Sequence, residues 1–194
     1  AQLGKLVLFG INPTRAETGY GYLEIDKVSD LEAVNLLKFV EKPEKTIAEK
    51  MISDGNYLWN AGIFLFYAKD IILAYQKHAP SLYTSVQKAL EKAETDLGFL
   101  RLDTEQWKIC DNISIDYAVM EKAKNLSVVK FGEKWSDLGG WDEVWSQMGP
   151  DKDGVVVSKN AYAIDCQNSL LRSETDDQTL VGLGLNNIMA IAMP

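Results

Sequence analysis

Four stretches of the chain combine residue types that can bind or react. In Phe39-Val-Glu-Lys-Pro43 an apolar run ends on adjacent opposite charges, Glu41 and Lys42, before a proline. A carboxylate delivered at a strand end accepts hydrogen bonds from sugar hydroxyls, and an ammonium beside it pairs with a phosphate. Open α/β sheets place their binding crevices at such strand ends. The bland alternative is a surface ion pair, which contributes little.

In Trp59-Asn60-Ala61-Gly62-Ile63-Phe64 an amide sits beside small residues within an apolar strand pattern. A buried Asn must find partners, and its donors and acceptor suit hydroxyl recognition. A structural Asn tied to a neighbouring loop is the equal alternative. In Gly19-Tyr20-Gly21-Tyr22 two glycines flank an aromatic in a strand pattern, marking a bulge or a close approach of a ligand to the backbone. Read alone, the bulge is the simpler choice, with the preceding Asn12-Pro-Thr-Arg15 as a turn and Arg15 as a surface charge. The fourth stretch, Trp135-Ser-Asp-Leu-Gly-Gly-Trp141, carries one carboxylate, Asp137, in a loop rich in Gly and Trp. Magnesium takes one or two protein carboxylates, so Asp137 suits it. Without context, capping the helix that begins near Asp142, or closing a turn, explains Asp137 as well.

Other chemistries are excluded. The only histidine, His78, ends a helix beside Pro80, where the helix dipole accounts for it. Neither a nucleophile elbow, nor a P-loop, nor a Gly-x-Gly-x-x-Gly fingerprint occurs. Gly182-Leu-Gly-Leu-Asn-Asn187 reads as turns rather than as a phosphate loop. Cys110 and Cys166 lie too far apart in sequence for a zinc or dithiol motif and are read as buried free thiols.

The elements that must position these residues follow from periodicity. Strands are expected at Leu6–Ile11, Tyr20–Ile25, Asn35–Val40, Leu58–Tyr67 and Leu126–Phe131. Helices are expected at Glu44–Ser53, Lys69–His78, Ser81–Thr95 and Ile115–Ala123. This alternation implies an α/β layer architecture with a largely buried sheet. After Pro150 the texture changes to short strand-like runs at Gly154–Val157, Ala161–Cys166, Leu170–Leu171, Thr179–Leu183 and Asn187–Ile191, with no repeat of fixed length. The expected organisation is one part over 1–150 and a small β-rich appendage over 151–194.

The composition is that of a globular protein, and the net charge of -8 argues against a nucleic-acid groove. No apolar run approaches the ~20 residues of a membrane span, so no membrane is expected and the cytoplasm is the default. Ala1 and the strand entered almost at once point to a chain cut from a longer one, as does the unfinished run at Pro194.

Taken in order, these segments resemble the mannose-1-phosphate guanylyltransferases, including the bifunctional form that carries a mannose-6-phosphate isomerase. The likeness spans almost the whole chain. It rests on Phe9-Gly-Ile-Asn-Pro-Thr-Arg15, Glu17-Thr-Gly-Tyr-Gly-Tyr22, Phe39-Val-Glu-Lys-Pro43, Tyr57-Leu-Trp-Asn-Ala-Gly62, Ser114-Ile-Asp-Tyr-Ala-Val-Met120 and Trp135-Ser-Asp-Leu-Gly-Gly-Trp141. The Val-Glu-Lys-Pro element belongs to sugar nucleotidylyltransferases generally, and the rest narrows the likeness to the guanylyl branch.

The resemblance implies a Rossmann-like mixed sheet of the nucleotide-diphosphosugar transferase type, lacking its N-terminal part and followed by a small β segment. It implies that backbone around Tyr20 and Gly21 lines the sugar, that Glu41 accepts from its hydroxyls, and that Asn60 faces it. Lys42 would pair with the sugar phosphate and Asp137 would help hold Mg²⁺, these two being the implied catalytic residues. All are expected to converge on one cleft. Mannose 1-phosphate and GTP are the implied partners, GTP mostly through a glycine-rich loop that these residues do not contain, so the fragment is expected to be inactive alone. Ala61 and Ala16 depart from the family's common serine and proline. Another hexose 1-phosphate, or a non-catalytic sugar-phosphate-binding or assembly piece, remain alternatives. Exposed strand edges make a homo-oligomer possible.

Overall fold

The computed structural model describes residues 4–26, 32–133 and 135–194, and the chain divides into two compact units, Ala1–Glu133 and Lys134–Pro194. The first unit is built on five strands: β1 (Leu6–Ile11), β2 (Tyr22–Ile25), β3 (Val34–Val40), β4 (Tyr57–Leu65) and β7 (Leu126–Lys130). They follow the order β1-β4-β2-β3-β7 and close on themselves. All neighbours are antiparallel except β1 and β7, which run parallel with Leu6 beside Leu126. The sheet is therefore mixed, as expected. In β1 the residues Leu6, Val7, Leu8, Gly10 and Ile11 are buried, because both faces of the strand are covered.

Four helices belong to this unit: α1 (Lys45–Asp54), which contacts β4, α2 (Ala68–His78), which packs on the core, α3 (Pro80–Glu91), which packs on α2, and α4 (Thr104–Lys108), which packs on α3. Proline opens α3, where its missing N–H costs nothing. The core joins Leu6, Leu8, Leu23, Leu58 and Val128 of the sheet to Ala74 of α2 and to Ala118, Val119 and Met120. Each fully buried leucine contributes roughly 1.5–3 kcal/mol of transfer free energy.

Two elements differ from expectation. The helix expected over Ser81–Thr95 ends at Glu91, and β5 (Glu94–Asp96) pairs with β6 (Phe99–Arg101) in a two-residue hairpin. Leu97 and Gly98 both have positive φ, 47° and 83°, as a type I′ turn requires, so the turn captures residues that a helical period would have claimed. The helix expected over Ile115–Ala123 is a single π turn, Asp116–Met120. Such turns insert an extra residue and concentrate at functional sites.

In the second unit α5 (Trp141–Gln147) packs with the β segment: Trp145 Nε1 donates to Gly154 O at 2.9 Å, and Arg172 lies over the Trp141 ring. These contacts put α5 with the appendage, although the change of texture comes only after Pro150. The strands β8 (Val155–Val157), β10 (Ser169–Ser173) and β12 (Met189–Ala192) form one parallel sheet, and β9 (Ala161–Ile164) pairs in parallel with β11 (Leu180–Leu183). The chain thus coils. Its successive turns are unequal, since Ser169 lies beside Val155 while Met189 lies beside Leu170. That inequality is why no fixed repeat shows in the sequence. The corners use left-handed backbone at Asp165, Asn168, Gly184 and Asn187, which small polar residues and glycine tolerate. Gly182–Asn187 accordingly forms strand and corner. Cys166 is buried and Cys110 only half-buried, and both are free thiols.

Candidate active site

Register brings Gly21, Glu41 and Asn60 together. Tyr22 pairs with Val40 on one side and with Trp59 on the other. Both neighbours are antiparallel, so Gly21, one position earlier, faces Glu41 and Asn60, one position later on each. Asn60 N donates to Gly21 O at 2.7 Å. A β-carbon on Gly21 would lie 2.5 Å from Glu41 Oε2, 3.2 Å from Phe39 Cζ and 3.3 Å from Asn60 Cβ. Gly21 therefore marks a close approach, and what approaches is the Glu41 carboxylate.

Glu41 and Lys42 form an ion pair of unequal exposure. The Glu41 side chain is 9% exposed and that of Lys42 59%, with Nζ and Oε1 3.9 Å apart. Lys42 has a φ of 46°, so the strand kinks there. Burial is the main cause that raises the Glu41 carboxyl above its ordinary range; Asp116 and Glu121 add to this, and Lys42 opposes it. Glu41 Oε2 is buried and has no hydrogen-bond partner among the described residues. An acceptor left in that state is costly, and a hydroxyl donor would relieve it.

Asn60 is held at both ends. Its Nδ2 donates to Asp116 Oδ1 at 3.1 Å, and its Oδ1 accepts from Gly62 N at 3.2 Å. Tyr20 meets the buried Trp59 ring edge-on at 5.2 Å, and the Arg15 guanidinium lies 5.6 Å from the same ring. Glu17 ties this loop together. Its carboxylate accepts from Arg15 Nε, Thr18 N and Gly19 N, while its backbone oxygen accepts from the Tyr22 hydroxyl. Arg15 is thus built into the loop rather than left as a solvated charge.

Asp137 belongs to the second unit. It is exposed, and its Oδ1 accepts from Gly139 N at 3.1 Å. It does not cap α5, whose N-cap is Gly140 without a side-chain bond. One exposed, hard carboxylate oxygen fits a Mg²⁺ that takes most of its ligands from phosphates and water. No group of three or more His, Cys, Asp or Glu able to hold a metal occurs among the described residues. His78 ends α2 as expected, with burial, then Lys77 and Lys122, lowering its pKa.

Asp116, Glu121 and Trp59 were not singled out from sequence. Asp116 opens an apolar run, Tyr117-Ala-Val-Met120, and reads as a first-turn helix residue. The one available signal was that its segment lies within a stretch carrying the family likeness. A 670 Å³ groove elsewhere in the first unit, lined by Ile72, Leu82, Val86 and Trp107, carries one carboxylate, Asp111, and no basic side chain. Its chemistry does not suit a phosphorylated ligand.

The first unit thus presents a closed mixed sheet with a carboxylate and an ammonium just past the end of β3 and a clamped amide within β4. The family profile described as Nucleotidyl transferase matches residues 1–153, and the chain belongs to that family. Within it, the chain is 43% identical over 182 residues to mannose-1-phosphate guanylyltransferase of Sinorhizobium fredii, covering 93% of this chain and 35% of that protein. It is 36% identical to mannose-1-phosphate guanylyltransferase of Escherichia coli K12, covering 94% of this chain and 39% of that one. The chain therefore spans well under half the length of these relatives. Among solved structures, mannose-1-phosphate geranyltransferase from Thermus thermophilus superposes with a TM-score of 0.81 at 28% identity, covering 100% of this chain and 55% of that one.

Proposed function

We propose that the chain is the sugar-phosphate-binding part of a mannose-1-phosphate guanylyltransferase, the full protein transferring GMP from GTP to mannose 1-phosphate. A sugar-phosphate oxygen attacks the α-phosphorus of GTP in line; the new P–O bond forms as the α–β bridge breaks, and pyrophosphate leaves with that electron pair. Such chemistry needs positioning and charge stabilisation more than covalent work by side chains.

The observation that carries this reading is the meeting of Gly21, Glu41 and Asn60 at one point of the sheet. Gly21 leaves room for the Glu41 carboxylate to turn inward, Glu41 offers a buried acceptor to the sugar's hydroxyls, and Asn60 offers a donor. Lys42, turned outward, pairs with the sugar phosphate. Asp137 would be one ligand of a Mg²⁺, which would supply positive charge to phosphates when bound. Names of the relatives support the choice of mannose and guanine, and a GTP substrate suits the cytoplasm. No helix among the described residues is long and apolar enough to cross a membrane.

The test is an assay of the full-length protein. Formation of GDP-mannose from GTP and mannose 1-phosphate is expected. Activity with glucose 1-phosphate and UTP or dTTP, and none with mannose 1-phosphate and GTP, overturns the substrate assignment.

A further inference from the structure

What Asn60 offers a ligand depends on which way its amide points. The backbone N–H of Gly62 can only donate, so the atom 3.2 Å from it is the Asn60 oxygen. An ionised carboxylate can only accept, so the atom 3.1 Å from Asp116 Oδ1 is the Asn60 nitrogen. Both contacts select the same orientation, and a flipped amide fails at both. One N–H and one oxygen lone pair of Asn60 are then left over.

The π turn that carries Asp116 also reaches Glu41. Glu121, at the C-cap of that turn, accepts from the Glu41 backbone N–H at 3.3 Å. This contact falls immediately before Lys42, whose left-handed backbone is rare for a residue with a side chain. One turn therefore holds the residue just past the end of β3 and a residue within β4, the two strands that flank β2. A stability role explains this poorly. Burial does most to push the Glu41 carboxyl towards its protonated form, and Asp116 and Glu121 add to it, an unfavourable pairing that an apolar turn would avoid. Departures of this kind from local stability gather where function requires a fixed geometry.

Resting on the function proposed above, we infer that Asp116 is a positioning residue for recognition of the sugar: it locks the Asn60 amide so that its remaining N–H is presented to a hexose hydroxyl. Asp116 acts through Asn60, and Glu121 steadies Glu41 from the same turn.

Three variants of the full-length protein test this. Asp116→Ala removes the acceptor and frees the Asn60 amide. It should raise KM for mannose 1-phosphate about tenfold, the size of one lost hydrogen bond, with KM for GTP and the thermal midpoint little changed. Asp116→Asn can still accept from Asn60 through its amide oxygen, and it should restore most of the affinity. The exchange Asn60→Asp with Asp116→Asn keeps the Gly62 N–H donating to residue 60, reverses donor and acceptor between residues 60 and 116, and removes the spare N–H. It should fold like the parent and keep the high KM. Unchanged KM for mannose 1-phosphate in Asp116→Ala overturns the inference, as does recovery in the exchange variant. A joint shift of both KM values and the thermal midpoint also overturns it, since that is the mark of a purely structural role. Should the parent protein form no GDP-mannose, the functional reading falls by itself, and calorimetric affinity for mannose 1-phosphate across the same variants still decides the role of Asp116.

Discussion

A β-carbon added to Gly21 would stand 2.5 Å from Oε2 of Glu41, with Phe39 Cζ at 3.2 Å and Asn60 Cβ at 3.3 Å closing the other sides. The carboxylate can turn inward only because the facing residue has no side chain. Gly21 does not have positive φ, so its requirement is one of space and not of backbone conformation.

Gly21→Ala should therefore expel the carboxylate or part the strands. Overpacking of this kind costs ~1–3 kcal/mol, read as a lower thermal midpoint. KM for mannose 1-phosphate should rise at least tenfold, because the acceptor for its hydroxyls has moved. A Gly21→Ala variant with parental KM would show that Glu41 does not meet the sugar.

Lys42→Met should separate binding from folding. An ion pair with its cation 59% exposed and its charges 3.9 Å apart gives the fold little, so the thermal midpoint should hold within about a degree or two. Loss of a charged hydrogen bond to phosphate should lower kcat/KM for the sugar phosphate roughly 10–100-fold. A fall in stability with unaltered kinetics would make Lys42 a structural residue.

How much of this was legible from residue types can be judged at particular positions. The five sheet strands appear in apolar runs bounded by turn residues, Glu41 and Lys42 stand out as charges at a strand end, and Asn60 as an amide within an apolar strand. Those signals are local, so they survive without the fold. Asp116 gave no such signal, since its part is set by a π turn that brings it to a residue fifty-six positions away. The hairpin at Leu97-Gly98 was hidden because Leu is seldom found at positive φ. In the second unit the parallel coil was hidden by turns of unequal length. The alternative uses of Gly21 and Asn60, bulge or close approach, structural or ligand-facing, could be separated only once the register of three strands was known.

Glu41 predicts a pH signature. Its folded pKa is raised, chiefly by burial, then by Asp116, so between the ordinary carboxylate value and the raised one the folded state binds more protons than the unfolded state. Stability from this group is thus present at low pH and is lost as pH rises through that window. Glu41→Gln removes the loss. Its thermal midpoint should exceed the parent's at neutral pH, with the difference shrinking as pH falls below the ordinary carboxylate range. A difference constant with pH would show that Glu41 has no raised pKa.

Asp137→Asn should lower the affinity for metal. Asn keeps an amide oxygen in place of Oδ1, which now accepts from Gly139 N at 3.1 Å, so the local turn is preserved. The side chain is exposed and does not cap α5, so neither burial nor a helix terminus is disturbed. What changes is one unit of negative charge on a hard oxygen, the property that Mg²⁺ selects. The Mg²⁺ concentration for half-maximal rate should rise at least tenfold, while the thermal midpoint without metal stays put. Because the loss is one of affinity, excess Mg²⁺ should recover part of the rate. A variant with unchanged Mg²⁺ dependence would remove Asp137 from the metal site and return it to the turn-closing role that its hydrogen bond to Gly139 already explains.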